Sequence, residues 1–88
     1  MVTVEVELLT DQGNNAVVRL PDRKFPGVVI QGDTLSTLIT ATSEAIAALE
    51  CNDAADAQEV LRDLAAQLRE VRDRYEIALR EHGIELPY

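Results

Sequence analysis

The chain has 88 residues, of which 16 are acidic and 8 are basic, so its formal net charge is -8 at pH 7. A chain of this length forms one domain with a small core, whose stability is marginal or depends on oligomerisation. The negative charge repels phosphate backbones and anionic lipid surfaces, which disfavours nucleic acids and membranes as primary ligands and favours a basic partner.

Cys51 is the only cysteine, so neither an intramolecular disulfide nor a thiolate cluster can form within one chain. No basic segment precedes an apolar stretch at the N-terminus, and no apolar run reaches the length of a membrane span. We therefore expect a cytoplasmic protein with no membrane association.

The first predicted element is a strand over about residues 2–9. Its sequence VTVEVELL alternates apolar and polar residues, which is the pattern of a half-buried strand. The apolar side, which we expect to face the core, consists of Val2, Val4, Val6 and Leu8.

A cluster of turn formers, TDQGNN, follows and predicts an antiparallel reversal into a second strand over about residues 15–20. Ala16, Val18 and Leu20 are expected to face the core. Pro26-Gly27 suits the centre of a type II turn, and a short third strand is expected over about residues 28–31.

The first helix is predicted over about residues 34–50. Gly32 permits an unusual backbone angle after the strand, and the Asp33 carboxylate is expected to cap the helix by accepting from free amides of its first turn. One side of the helix carries an apolar stripe, which predicts packing on the sheet. The stripe consists of Leu35, Leu38, Ile39, Thr42, Ala45, Ile46 and Leu49.

A second, long helix is predicted over about residues 54–82, with Asp53 as its N-cap and Gly83 just past its last turn. Apolar residues recur at spacings of four and three over three heptads, which is typical of a helix that packs lengthwise against another helix. This seam consists of Ala57, Leu61, Leu64, Leu68, Val71, Tyr75 and Ala78. Arginines and acidic residues alternate on its other faces and are expected to pair with one another.

These elements predict a single α+β domain over residues 1–88: a three-stranded antiparallel sheet in the order β-β-β-α-α, packed by one short and one long helix, with an extended tail at 83–88. The absence of repeats and linkers supports one domain.

Catalytic and metal-binding patterns are weak in this sequence. His82, the only histidine, stands at a helix end, where its placement is favourable without any catalytic role. Zinc needs several Cys or His ligands, and the acidic pairs Glu5/Glu7 and Asp53/Asp56 come without a third ligand. We predict no catalytic residue, no metal and no cofactor.

Two groups of residues are candidates for interactions. Arg19, Arg23, Lys24 and Phe25 cluster at the second connection, where an aromatic beside basic groups can anchor an acidic or mixed partner surface. The alternative is a solvated loop with Phe25 in the core.

The second group lies on the long helix, whose seam is longer than the first helix can cover. We expect part of it to contact a second copy, and the alternative is packing along the sheet of the same chain. The predicted oligomer interface consists of Leu61, Leu64, Leu68, Val71 and Tyr75.

The segment FPGVVIQGDTL, with the helix that follows, resembles the strand, turn and helix of HicB-like antitoxins over residues 21–49. Such proteins neutralise a small RNA-cleaving toxin by binding it. That family normally adds a strand after its helix, whereas this chain continues into a long helix rich in arginine and glutamate. The whole chain also resembles a family of short proteins of unknown function (DUF6959), through GNNAVVRLP, FPGVVIQGD and HGIELPY.

The sequence favours a non-enzymatic protein-interaction module of antitoxin or immunity type, which binds a protein such as a basic toxin and forms a homodimer. Two alternatives remain open. One is a homo-oligomeric structural protein, and the other is a small-molecule-binding or enzymatic subunit whose site forms between two chains.

Overall fold

A computed structural model describes all residues of the chain, 1–88. The strands form one antiparallel sheet in the order β1-β2-β3, and two helices follow them. This confirms the predicted α+β class, although the strands are shorter than expected. The elements are β1 (Glu7–Leu8), β2 (Val17–Arg19), β3 (Gly27–Val28), α1 (Gly32–Glu50) and α2 (Ala54–Glu81).

Two compact units make up the chain. The first, here called the sheet unit, comprises Met1–Ile30 and Val71–Tyr88, so it holds the three strands, the last part of α2 and the tail. The second, here called the hairpin unit, comprises Gln31–Glu70, so it holds α1 and the first part of α2.

The core of the sheet unit lies between the sheet and the last part of α2. Leu9 and Val17 from the strand side meet Tyr75, Ala78 and Leu79 of the helix, and all five are buried. Val28 and Ile84 pack against this cluster from the side. Burial of such aliphatic and aromatic side chains is the main stabilising contribution to a unit of this size.

The predicted inward side of the first two strands is wrong, although Ala16, one of the residues expected to face the core, is buried. Leu8 pairs with Val18 across the sheet, but Leu8 is exposed, while the next residues along, Leu9 and Val17, are buried. Because successive side chains of a strand point to opposite faces, the helix covers the face that carries Leu9, Val17 and Val28. The alternating apolar residues therefore occupy the opposite face.

The first strand is short because its neighbour ends early. In the register of Glu7 opposite Arg19, Val6 would face Leu20 and the residue before it would face Pro21, which has no amide to donate. The chain turns there: the Arg23 amide donates to the Leu20 carbonyl at 3.2 Å, and Asp22 has a φ of 63°.

A proline followed by a residue with positive φ is the signature of a type II turn. The turn thus lies at Pro21-Asp22, and the prediction that Pro26-Gly27 forms it is wrong, because Gly27 belongs to β3 and has no positive φ.

The start of α1 differs from the prediction by two residues. Gln31 is the N-cap, without a side-chain hydrogen bond, and Asp33 lies inside the first turn. The prediction that Asp33 is the N-cap is therefore wrong. Its carboxylate does accept from a free amide, that of Thr34 at 2.8 Å, but from two positions past the N-cap.

The connection between the helices is built from two capping motifs in succession. The Asp53 amide donates to the Ala48 carbonyl and the Asn52 amide to the Leu49 carbonyl, with Asn52 at a φ of 59°, which is a Schellman motif. The Asp53 carboxylate then accepts from the Asp56 amide at 3.1 Å, which confirms Asp53 as the N-cap of α2.

The C-terminus of α2 repeats the Schellman geometry. The Ile84 amide donates to the Leu79 carbonyl and the Gly83 amide to the Arg80 carbonyl, while Gly83 has a φ of 67°. Ile84 packs against the core cluster that contains Leu79, which is the hydrophobic contact that accompanies this motif. The predicted position of Gly83 is confirmed.

Candidate interaction surfaces

The face of the sheet opposite α2 is apolar and partly exposed. We call it the outer sheet face and define it as Val6, Leu8, Val18, Leu20 and Val29. Val18 is half-buried and the others are 41–49 % exposed. Isolated exposed aliphatic residues are ordinary on protein surfaces, and a contiguous group of this kind is a candidate interaction surface.

An N-terminal arm, residues 1–5, extends from the same strand. Its apolar members Met1, Val2 and Val4 are more exposed than any residue of the outer sheet face, and no residue of the arm belongs to a strand. Apolar and polar residues do alternate along the arm, which is why a strand is predicted there. The arm forms no strand because β2 ends before it can pair with it.

The four predicted partner-binding residues separate into two groups. Arg19 is half-buried and donates to Glu7 through Nε at 3.1 Å and through an Nη at 2.7 Å. Arg23 and Lys24 are exposed, Phe25 is half-buried, and the Lys24 ammonium lies 5.2 Å from the centre of the Phe25 ring. That distance allows a cation–π interaction. Their role in binding a partner stays a prediction.

The Glu7–Arg19 pair is a cross-strand ion pair at the edge of the sheet. The two-pronged hydrogen bond from Arg19 lowers the pKa of the Glu7 carboxyl below its ordinary value of 4.5, and the same bond raises the pKa of Arg19. The pair joins residues that lie opposite each other in the register of β1 on β2, and it leaves Arg19 less free for a partner than Arg23 or Lys24.

The hairpin unit carries a second apolar surface. Every buried residue of this unit is an alanine, namely Ala45, Ala48 and Ala57. The large aliphatic side chains stay outside, so the prediction that the stripe of the first helix is buried is wrong for most of its members. We call this surface the hairpin face and define it as Leu35, Ile39, Ile46 and Leu49 of α1 with Leu61 and Leu68 of α2, which are 44–58 % exposed.

Two shallow grooves follow the hairpin face where the helices meet. One is lined by Leu38, Ile39 and Thr42 together with Leu64 and Leu68. The other has a volume of about 680 Å³ and contains Leu49, Leu61, Arg62 and Arg69. A further groove is acidic, with Glu44, Asp53 and Asp56.

The charges of α2 do not pair as predicted. Glu7–Arg19 is the single ion pair of the chain, so none of the arginines of α2 lies within 4.0 Å of a carboxylate oxygen. Surface pairs contribute little to stability, so the helix folds without them. The unpaired arginines of α2 are Arg62, Arg69, Arg72, Arg74 and Arg80.

The predicted oligomer interface divides along α2. Leu61 and Leu68 are exposed and Leu64 is half-buried, so the side chains of these three residues are accessible to a second copy. Val71 is half-buried, and Tyr75 is 7 % exposed because it belongs to the core of its own sheet unit. Sequence reasoning did not identify the α1 residues of the hairpin face as surface residues. An apolar stripe has the same residue spacing whether it packs on the sheet of its own chain or on another subunit.

The chemically reactive residues are dispersed. Cys51 is exposed, and His82 holds its Nδ1 at 2.8 Å from the Ala78 carbonyl, to which it donates as part of the helix end. No three His, Cys, Asp or Glu side chains are grouped so that they could hold a metal ion. Neither helix combines the length and apolar character that a membrane crossing requires.

A family of unknown function (DUF6959) matches the chain over residues 1–88. The chain therefore belongs to that family, as the resemblance of GNNAVVRLP, FPGVVIQGD and HGIELPY indicates. No curated protein and no solved structure matches it.

Proposed function

We propose that the chain is a non-enzymatic protein-interaction module that forms a homodimer and restrains another protein by binding it, as antitoxins and immunity proteins do. The observation that carries the proposal is the outer sheet face, an apolar surface whose residues are 41–49 % exposed, apart from the half-buried Val18. The resemblance of residues 21–49 to HicB-like antitoxins is the reason for naming this class of module.

The surroundings of the outer sheet face suit a protein partner. The connection that leaves β2 after Leu20 carries the exposed Arg23 and Lys24, with Lys24 stacked over Phe25. An apolar centre beside a polar rim with an aromatic group is the usual composition of a protein interface. The net charge of -8 favours a basic partner by accelerating encounter and selecting against acidic proteins.

The test is quantitative affinity capture from the native host, comparing the wild-type chain with a variant that carries Val6→Glu and Val29→Glu. Both residues are exposed, so the substitutions add charge to the outer sheet face without opening the core. The matched control carries Thr3→Glu and Gln12→Glu, two exposed residues outside that face. Thermal unfolding of all three proteins confirms that each is folded.

We expect a protein that the wild type and the control capture equally and that the face variant loses by about tenfold or more. Arg23→Ala with Lys24→Ala tests the basic groups in the same way. A smaller loss is expected where they face an acidic or mixed patch of the partner, because rim charges affect mainly the association rate. Equal capture by the face variant would contradict the proposal.

A homo-oligomeric structural protein is the second candidate, and the hairpin face favours it. Light scattering over a wide concentration range separates the two, because a binding module stops at a closed dimer, whereas an assembly protein continues to grow.

A further inference from the structure

The sheet unit has an edge without a partner strand in its own chain. β1 pairs with β2 on one side only, and the N-terminal arm that leads into β1 pairs with no strand. β2 does not reach the arm, because the chain turns at Pro21-Asp22. We call the side of residues 1–8 that faces away from β2 the open edge. Unpaired edges of this kind are templates for pairing with another strand.

The directions of the backbone groups along the open edge follow from the register of β1. The Leu9 amide donates to the Val17 carbonyl of β2 at 2.9 Å. Because consecutive residues of a strand direct their backbone groups to opposite sides, the odd-numbered residues face β2, and Leu8 faces the open edge. When the arm continues β1 as a strand, Val6 and Val4 also present their amides and carbonyls there. These are the apolar residues of the alternating pattern.

The opposite edge of the sheet is poorly suited to a further strand. On the β3 side the Val29 amide donates to the Ala16 carbonyl, so Pro26 and Val28 face outward. Pro26 has no amide, and its carbonyl already accepts from the Tyr75 hydroxyl. Proline is one of the devices that block pairing at natural sheet edges. Residues 1–9 contain no proline, so the sheet can grow at the open edge.

We infer that the open edge pairs antiparallel with the open edge of a second copy, so that the two sheets join across a two-fold axis. An antiparallel pair of identical strands has this symmetry, and the contact is closed. Even-numbered residues must lie opposite even-numbered residues. Only then do the outward amides of both copies meet and the apolar side chains share one face.

The carboxylates select one register among these. Glu7 already binds Arg19, whereas Glu5 has no ion-pair partner. With Val4 opposite Val4 of the second copy, residues 1–7 pair and Glu5 lies opposite Thr3. Registers that place Glu5 opposite Glu5 or Glu7 bring like charges directly across the pair, which is destabilising. The register with Thr3 opposite Thr3 pairs only residues 1–5.

The occupant is a second copy because the open edge is complementary to itself. In the register centred on Val4, the outward amides, the apolar side chains and the carboxylates are all accommodated at once. The backbone hydrogen bonds provide the affinity, as in other cases of strand addition. Such a strand pair is smaller than the standard interface of about 800 Å² per partner, so we expect a weak dimer in the micromolar range. The inference rests on the dimer in the proposed function and names the edge that forms it.

The experiment measures the mass of the full chain by sedimentation from micromolar to millimolar concentration. Val4→Pro removes an amide that donates across the two-fold axis, whereas the control Thr3→Pro removes one that points to the other side. We expect the mass to rise from that of one chain toward twice that mass for the wild type and Thr3→Pro, and to stay at one chain for Val4→Pro. A wild type that stays monomeric, or a Val4→Pro protein that dimerises like the wild type, would overturn the inference.

Both substituted residues are exposed and lie outside the strands, so each variant should fold, which thermal unfolding checks.

Cysteine cross-linking tests the register in a Cys51→Ser background, which removes the free thiol. Directly opposite residues have Cα atoms about 5.5 Å apart, within the range of a disulfide, whereas the two copies of Thr3 lie diagonally at about 7–8 Å. In a glutathione redox buffer we expect Val4→Cys to form about tenfold more covalent dimer than Thr3→Cys. Equal cross-linking of the two variants would contradict the register.

The outcomes separate this inference from the proposed binding role. Val29→Glu adds charge to the outer sheet face away from β1, so it should keep the dimer and lose the captured partner. Val4→Pro should lose the dimer and keep the partner. The capture control Thr3→Glu with Gln12→Glu places a carboxylate opposite Glu5 of the second copy, and it should weaken the dimer about threefold while keeping the partner.

A monomeric wild type that still captures its partner would refute the inference alone. A dimer whose Val29→Glu variant still captures the partner would refute the binding role alone.

Discussion

The hydroxyl group of Tyr75 donates a hydrogen bond of 2.7 Å to the backbone carbonyl of Pro26, across 49 positions of the chain. Both residues are buried, so the bond joins α2 to the start of β3 inside the core of the sheet unit. Pro26 cannot donate, and the tyrosine provides a partner for its carbonyl where water has little access.

Tyr75→Phe is expected to lower the free energy of unfolding by about 1–2 kcal/mol, because the variant leaves a buried carbonyl without a partner. Burial raises the pKa of the Tyr75 hydroxyl above its ordinary value of 10.0, so the stabilisation is present below that value and is lost as the pH rises through the raised pKa. Chemical denaturation at neutral and alkaline pH measures both effects. Tyr88→Phe, at an exposed residue, is the control, and an equal loss in the control would contradict the assignment.

Glu7→Gln is expected to remove a pH-dependent part of the stability. Since the folded pKa of Glu7 is lowered, the contribution of the pair with Arg19 is complete above the ordinary value of 4.5 and disappears as the pH falls through the folded pKa. The midpoint of unfolding in urea should therefore differ between wild type and variant at pH 7 and converge at acidic pH. Glu5→Gln removes the same charge where no ion pair exists, and a difference that persists at low pH would speak against the ion pair as its cause.

Asp53→Ala is expected to destabilise the chain by about 1 kcal/mol, since the Asp56 amide loses its acceptor at the start of α2. Thermal unfolding followed by circular dichroism reports the change. Asp63→Ala, in the middle of the same helix and without a hydrogen bond to the backbone, should have an effect close to zero. Equal effects of the two substitutions would show that charge, and not capping, is responsible.

Gly83→Ala should cost about 1–2 kcal/mol, because its φ of 67° places a side chain in the left-handed region. A Cβ at Gly83 would meet no atom within 4 Å, so backbone strain alone produces this effect. Gly27→Ala is the matched control, with equally open space and no positive φ. A Gly83→Ala protein as stable as the Gly27→Ala protein would disprove the reasoning.

Local patterns predicted much of this structure. The carboxylate of Asp53 and the glycine at 83 mark the ends of α2 because caps depend on a few neighbouring residues. The order of three strands and two helices follows from apolar periodicity in the same way, and it extends to the antiparallel pairing of β1 with β2.

Burial was harder to predict because it depends on what each element meets. Val6 and Leu8 alternate as a core-facing strand should, yet α2 covers the other face, where Leu9 and Val17 lie. Hydrophobic alternation identifies one side of a strand as apolar but does not say whether this chain or another one covers it. The exposed Ile39 on α1 shows the same ambiguity in a helix.

The two uncovered faces also bear on how long a newly made copy persists. Chaperones and proteases bind exposed apolar segments, so a copy whose hairpin face and outer sheet face stay open is expected to be degraded faster than one whose faces are filled. The cellular amount of this protein would then follow the supply of the molecules that cover it, and its turnover would report on their abundance.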